Sequence, residues 1–421
     1  MHIAHYTNTY YPVVSGVVRS ISAFRQALIQ QGHQVFIFSQ AASDYEDTEP
    51  FVFRYPAIEL PIHNHFPITI PVSSHIDWLM PALKLDVIHA HHPILLGQTA
   101  ARKASELGLP FVFTYHTRYR EYSHYAAINQ NLVKEVIDRW MGVFLQQCQH
   151  IIVPTESIHK LLADLYGITK GVTVIPTGID IEPYETVGER EKLREELGWT
   201  DKKVLISLGR LAKEKNWNVL IEAATAALRE DESRCLVILG EGEERAGLEK
   251  QIKKAGLEKQ VLLPGQIPFA QVPRYMTAAD LFCFASVTET QGLVTLEAMA
   301  AGLPVVAYDA SGTSDAVTHE KEGLLTENEP AALGAAIQRV LGDADLHNRL
   351  REAALLTARE YDIRRQASRM ADVYEKAIEA KKAEQAIAVD RKKPLLEGHW
   401  YSLLGLEENP FEQLATLVQR E

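Results

Sequence analysis

Short apolar runs rich in β-branched residues alternate with longer amphipathic stretches along this chain, and they do so in two successive series. Such alternation is the pattern of βα units, whose parallel sheets are covered on both faces by helices. In the first series, residues 1–6, 34–39, 86–89, 111–115, 150–154 and 172–175 read as strands. Helices are expected at about 18–31, closing on Gly32, and at about 132–149. The second series places strands at 204–208, 235–239, 261–263, 281–285 and 305–307, with helices at 217–229, 244–255, 272–278 and 295–301. After about residue 345 no strand pattern returns. Helical segments run to about 388, then the break Asp390-Arg391-Lys392-Lys393-Pro394 precedes a tail carrying Trp400 and Tyr401.

A chain of 421 residues exceeds one ordinary core and suits two domains of roughly 150–200 residues. The reading is therefore α/β: a first Rossmann-like, doubly wound domain at 1–180, a hinge at 181–200 after Thr177-Gly178-Ile179-Asp180, and a second such domain at 201–365. Residues 366–421 are expected to pack back on the first domain. Doubly wound sheets bind ligands beyond the carboxyl ends of their strands, which predicts a cleft between two domains facing each other.

The net charge of −12 argues against bulk nucleic-acid binding. It is unevenly shared: residues 1–180 hold 12 Lys and Arg against 14 Asp and Glu, while the remainder holds 31 against 41. The first segment also holds 13 of the 16 histidines, consistent with two halves doing different work. Cys148, Cys235 and Cys283 have neither disulfide nor zinc spacing and read as reduced packing residues. No window approaches the roughly 18 uninterrupted apolar residues of a membrane span, and no signal peptide is evident. A cytoplasmic protein is expected.

Three segments carry chemistry. The first strand runs into Tyr10-Tyr11-Pro12-Val13-Val14-Ser15-Gly16-Val17, where Gly16 lets a helix N-terminus approach an anion. The second, Gly209-Arg210-Leu211-Ala212-Lys213-Glu214-Lys215, closes a strand of the second domain. There the planar fork of Arg210 and the point charge of Lys215 can converge on one diphosphate and offset a leaving group's charge. The third is Thr288-Glu289-Thr290-Gln291-Gly292-Leu293-Val294-Thr295-Leu296-Glu297, two carboxylates eight residues apart around a glycine turn that opens a helix. Glu289 is placed to bond sugar hydroxyls, and the amides of Gly292, Leu293 and Val294 point toward phosphate. Glu297, about one turn inside, can accept from two ribose hydroxyls.

These segments resemble those of the family 4 glycosyltransferases, retaining enzymes of the GT-B fold. The E-x7-E pair is Glu289 and Glu297, the Gly-Arg-Leu-x-x-x-Lys loop is Gly209–Lys215, and Gly240-Glu241-Gly242 and Ala301-Gly302-Leu303-Pro304-Val305-Val306 extend the likeness. Such enzymes transfer sugar from a nucleoside-diphosphate sugar with retained anomeric configuration and without a metal. The resemblance implies donor contacts at Gly265, Gln266 and Gln291 as well, and a contact of His116 with the donor sugar. The segment Phe113-Thr114-Tyr115-His116-Thr117-Arg118-Tyr119-Arg120-Glu121-Tyr122-Ser123-His124-Tyr125 is similar to that of bacterial diacylglycerol glucosyltransferases. It implies transfer of glucose from UDP-glucose to the 3-hydroxyl of 1,2-diacylglycerol, with Arg118, Tyr119 and Tyr122 on the acceptor side and a peripheral place on the membrane.

The cluster His89, His91 and His92 invites a metal, with His89 and His91 alternating to one face, but a carboxylate partner is missing from the nearby sequence and the likeness is to metal-free enzymes. Lipid-directed relatives commonly carry basic-hydrophobic patches on the first domain. Here helix 132–149 balances Lys134 and Arg139 against Glu135 and Asp138, so its attraction to anionic lipid is weak, and Trp140, Met141, Phe144 and Leu145 either insert or pack inward. The alternatives are a soluble acceptor on the same fold and a non-catalytic sugar-nucleotide sensor.

Overall fold

The computed structural model describes residues 1–13, 15–58, 68–117, 119, 130–289, 291–310 and 312–388. The first domain is a seven-stranded parallel sheet of β1 (His2–Tyr6), β2 (Gln34–Gln40), β3 (Val52–Tyr55), β4 (Val87–Ala90), β5 (Phe111–Thr114), β6 (His150–Val153) and β7 (Val172–Val174), in the order β3-β2-β1-β4-β5-β6-β7. The second holds β8 (Lys203–Leu208), β9 (Arg234–Leu239), β10 (Val261–Gly265), β11 (Leu281–Phe284), β12 (Val305–Tyr308) and β13 (Gly323–Thr326), in the order β10-β9-β8-β11-β12-β13. In each sheet the order in which strands are added reverses once, between β1 and β4 and between β8 and β11. Those are the switch points where doubly wound folds take ligands.

Strands buried on both faces explain the near-continuous apolar runs. On one face of the first sheet Ile3, Val87, Val112 and Ile152 meet the helices Gly16–Gln30 and Ile363–Lys382; on the other, Tyr6, Ile88, Phe111 and Phe113 meet Leu96, Phe144, Leu145 and Leu162. Met141, Phe144 and Leu145 are therefore core residues, and Trp140 stacks on Phe144 at 6.0 Å between centroids. Cys148, Cys235 and Cys283 are buried and free.

The boundaries differ from the sequence reading at one place. Residues 181–200 form the helices Glu182–Thr186 and Arg190–Leu197, and Tyr184, Leu193 and Trp199 are buried in the second domain's core. Arg190 and Arg194 also donate to Asp280 beside β11, at 2.7 and 3.2 Å. The segment looked like a linker because its outward face is so polar. The chain crosses between domains just before it, and crosses back just before helix Ile363–Lys382. There Ile179 N–H donates to Tyr361 O at 2.9 Å and Ile363 N–H donates to Ile179 O at 3.0 Å. The returning helix then buries Ile363, Met370, Val373, Tyr374 and Ala377 against the first domain.

Candidate active site

The site is assembled from the carboxyl ends of both sheets. In the second domain the ends of β8, β9 and β10 are stitched side by side, with Gly209 N–H donating to Leu239 O and Gly240 N–H donating to Gly265 O at 3.0 and 2.9 Å. The approach is so close that a Cβ on Gly240 would lie 1.9 Å from Gly209 O, which only glycine avoids. Gly209, Gly265 and, next in chain, Gln266 thus share one rim. Trp217 Nε1–H donates to Arg210 O at 2.8 Å and fixes the loop from inside, while Asn216 Nδ2–H reaches Ala285 O at 3.1 Å beyond β11.

That clamp carries Lys215 to Glu289. The Lys215 ammonium pairs with Glu289 Oε1, which also accepts from Ser286 Oγ at 2.8 Å. Arg210 turns the other way. Its guanidinium, 62% exposed, pairs with Glu214 at 2.7 Å and lies 3.7 Å from Glu243. Arg210 and Lys215 therefore occupy separate ion pairs here, where the sequence suggested convergence on one anion.

Past Glu289, Gly292 takes φ +67° and opens the helix Leu293–Ala300, a left-handed entry that favours glycine. The amides of Leu293 and Val294 stand in its first turn, where helical geometry supplies no carbonyl. One turn further, Glu297 is 3% exposed and its Oε1 accepts from Arg19 Nη2 of the first domain. Its Oε2 is buried without a hydrogen-bond partner among the described residues. Burial raises the Glu297 pKa, and the guanidinium pulls against that rise. The Arg19 guanidinium also stacks over Phe269 at 4.4 Å, so one first-domain side chain grips two elements of the second.

Gln291 is used differently from the expectation. Its Oε1 accepts from Thr177 N–H and its Nε2 donates to Thr177 O, both at 2.7 Å, so the whole amide holds the crossover segment. In the first domain, Gly16 starts the helix capped by Ser15 Oγ, which accepts from Val18 N–H, and this cap brings Arg19 to the cleft. A Cβ at Gly16 would meet nothing within 4 Å, so close approach does not demand that glycine. His116 follows β5, half-buried, and its Nε2 lies 2.9 Å from His91 Nδ1. Tyr119 packs its ring edge-on against Tyr115 at 5.5 Å, beside the first core. Arg118 and Tyr122 lie outside the described residues.

Sequence reasoning missed Arg19, Phe269 and Ser286. Arg19 had a weak signal, as the one basic residue in the first turn of an otherwise apolar helix face. Nothing local marked Phe269.

Two Rossmann-like sheets facing across such a cleft define the class, and comparison with known proteins specifies it. The family profile described as "Glycosyltransferase Family 4" matches residues 14–183, and that described as "Glycosyl transferases group 1" matches residues 189–356. An alpha-monoglucosyldiacylglycerol synthase of Streptococcus pneumoniae is 32% identical over 355 residues, covering 82% of this chain and 80% of that one. A second enzyme of that name, from Acholeplasma laidlawii, is 31% identical and covers 73% and 81%. The solved structure of Anabaena HepE in complex with UDP shares the fold, with a TM-score of 0.71 at 20% identity over 89% of this chain and 100% of that one. The chain belongs to the family 4 glycosyltransferases of the GT-B fold. It is a hexosyltransferase.

Proposed function

We propose that this protein transfers glucose from UDP-glucose to the 3-hydroxyl of 1,2-diacylglycerol with retention and without a metal. The observation that carries the reading is the likeness, over most of both chains, to two alpha-monoglucosyldiacylglycerol synthases. On this reading the buried, unpartnered Oε2 of Glu297 is the acceptor for ribose hydroxyls, since a buried carboxylate oxygen without a donor is costly. The first-turn amides of Leu293 and Val294 and the cations of Arg210 and Lys215 take the diphosphate, and Glu289 and His116 hold the sugar. Lys215 leaves Glu289 for the phosphate as the donor enters, and the freed carboxylate turns to the sugar hydroxyls.

No side chain is assigned as a covalent nucleophile. The bond from C1 to the β-phosphate oxygen breaks as the acceptor oxygen bonds C1 from the same face, and the acceptor's proton passes to the departing phosphate oxygen. Lys215 and Arg210 stabilise the charge left on UDP. One feature supports a lipid surface for the acceptor: the first domain exposes Val72, Trp78 (78% exposed) and Ile94. The protein on this reading docks on the cytoplasmic membrane face.

The test is turnover of the purified protein with a panel of nucleotide sugars, against diacylglycerol vesicles and water-soluble acceptors at matched donor concentration. The expected product is an α-glucosyl lipid. Efficient transfer to a soluble acceptor with none to diacylglycerol removes the lipid, and nucleotide-sugar binding without any turnover indicates a sensor.

A further inference from the structure

We propose that Tyr374, on the returning helix, is a positioning residue for His116: a wire of buried imidazoles lets its hydroxyl decide which ring nitrogen His116 presents to the cleft. The wire runs from Tyr374 Oη to His5 Nε2 at 3.1 Å, from His5 Nδ1 to His91 Nε2 at 3.0 Å, and from His91 Nδ1 to His116 Nε2 at 2.9 Å. A second branch joins Tyr374 Oη to His89 Nδ1 at 2.8 Å, and His89 Nε2 to Thr114 Oγ1 at 2.7 Å. Backbone register builds it. His5 pairs with His89 across β1 and β4, on the sheet face that the helix Ile363–Lys382 covers.

The imidazoles of the wire are neutral. Burial, with Arg25 as a lesser cause, holds His5 at about 3, and burial with His92 and His5 holds His116 at about 3. His89 and His91 are pushed well below the ordinary range, mainly by burial. A neutral imidazole has one N–H and one bare nitrogen, so each ring passes the direction of its neighbour's hydrogen bond along.

Tyr374 has one proton and is fully buried, so it donates to one branch and accepts from the other. If it donates to His5, then His5 Nδ1–H donates to His91, His91 Nδ1–H donates to His116 Nε2, and His116 carries its proton on Nδ1. In that case His89 Nδ1–H donates to Tyr374, and the Thr114 hydroxyl donates to His89 Nε2. Every proton from Thr114 through the wire to His91 is then bonded, and the one on His116 Nδ1 is left for a further acceptor. In the reverse arrangement His89 Nε2–H donates to Thr114 Oγ1, and the buried Thr114 hydroxyl proton has no other acceptor among the described residues. A stranded buried donor is costly, which selects the first arrangement. His116 is thereby fixed as an Nδ1–H donor, suited to a sugar oxygen. The same bonds speak against a metal in the wire: donor atoms of His5, His89 and His91 lie within 4.8 Å of one another, yet the network already employs both ring nitrogens of each.

The tautomer follows from the wire alone, whereas the kinetic consequence rests on the proposed contact between His116 and the donor sugar. The experiment therefore reads both. Ring nitrogen shifts of histidine-labelled protein are recorded for the wild type, Tyr374→Phe and His5→Gln, with His116→Asn assigning the signal and thermal melting confirming that each variant folds. His116 is expected as Nδ1–H in the wild type and as a mixture of tautomers in both variants. The kcat/KM for the nucleotide sugar should fall about tenfold in Tyr374→Phe, the loss of one aligned hydrogen bond, with the Kd for UDP unchanged. A changed tautomer with unchanged kinetics supports the wire and removes His116 from the donor sugar. Unchanged His116 shifts in either folded variant, or a metal bound stoichiometrically at His5, His89 and His91, overturns the proposal.

Discussion

Arg19→Ala removes the one cation that Glu297 touches among the described residues. The carboxylate is 3% exposed, its Oε2 already lacks a partner among the described residues, and burial raises its pKa. Leaving such a group uncompensated costs about 1–3 kcal/mol. An upper limit follows from proton linkage: at pH 7 the carboxyl can escape by protonating, which costs at most about 1.36 kcal/mol per unit between 7 and roughly 4.3, or about 3.7 kcal/mol. Arg19 is itself 27% exposed, so solvent screens part of the attraction and the lower half of the range is expected. For domains of this size that lowers Tm by roughly 2–8 °C.

The pH dependence is the sharper readout. Losing Arg19 raises the folded-state pKa of Glu297 further above its unfolded value. A group so shifted adds no penalty below the unfolded pKa, and its penalty grows as pH rises through the folded pKa. The Tm gap between wild type and Arg19→Ala should therefore be small near pH 4.5 and widest at pH 8. Adding Glu297→Gln to Arg19→Ala replaces the charge by a neutral isostere and should recover most of the loss at pH 8. Differential scanning calorimetry across that range is the assay. A gap independent of pH, or no recovery in the double variant, would refute the reasoning.

Three further outcomes are expected. Glu297→Ala should weaken UDP binding by roughly 1.5–3 kcal/mol in a calorimetric titration, and an unchanged Kd in the folded variant would remove the ribose contact. Turnover should persist in excess EDTA, because cations and helix amides are assigned the place of a divalent ion; loss restored by magnesium or manganese refutes this. Gln291→Leu strands the N–H and C=O of Thr177, both now bonded at 2.7 Å, so it should cost roughly 2–4 kcal/mol and accelerate amide exchange at Thr177.

What the sequence disclosed followed the strength of its periodic signals. Strands buried on both faces, such as β8 and β11, read directly as apolar runs, and the glycine turn before Leu293 marked a helix start within two residues. β3 and β13, Val-Phe-Arg-Tyr and Gly-Leu-Leu-Thr at the outer edges of their sheets, escaped notice because a charged residue interrupts one apolar run and a glycine opens the other. Long-range pairings left no local trace. That Gln291 would hold Thr177, or that Arg19 would reach Glu297, depends on how two domains meet. The wire was half visible: alternation put His89 and His91 on one face, but Tyr374 reaches them only because the last helix returns.

The ion pairs of the three assigned cations bear on how a donor with a charged diphosphate enters the cleft. Lys215 is paired with Glu289, Arg210 with Glu214 and Arg19 with Glu297, so each cation already has an anion. Bare cations lining a partly desolvated cleft would repel one another and raise the cost of keeping the domains together. On the proposed reading the donor exchanges partners instead of adding charge. The diphosphate takes Lys215 and Arg210, and the ribose meets the unpartnered oxygen of Glu297 while the other stays with Arg19. The sugar then meets a Glu289 that has lost its ammonium and must find hydroxyl protons to replace it. Release reverses the exchange, since departing UDP returns Lys215 to Glu289. Tight binding of the product is thereby limited by the same pairs that hold the empty cleft together.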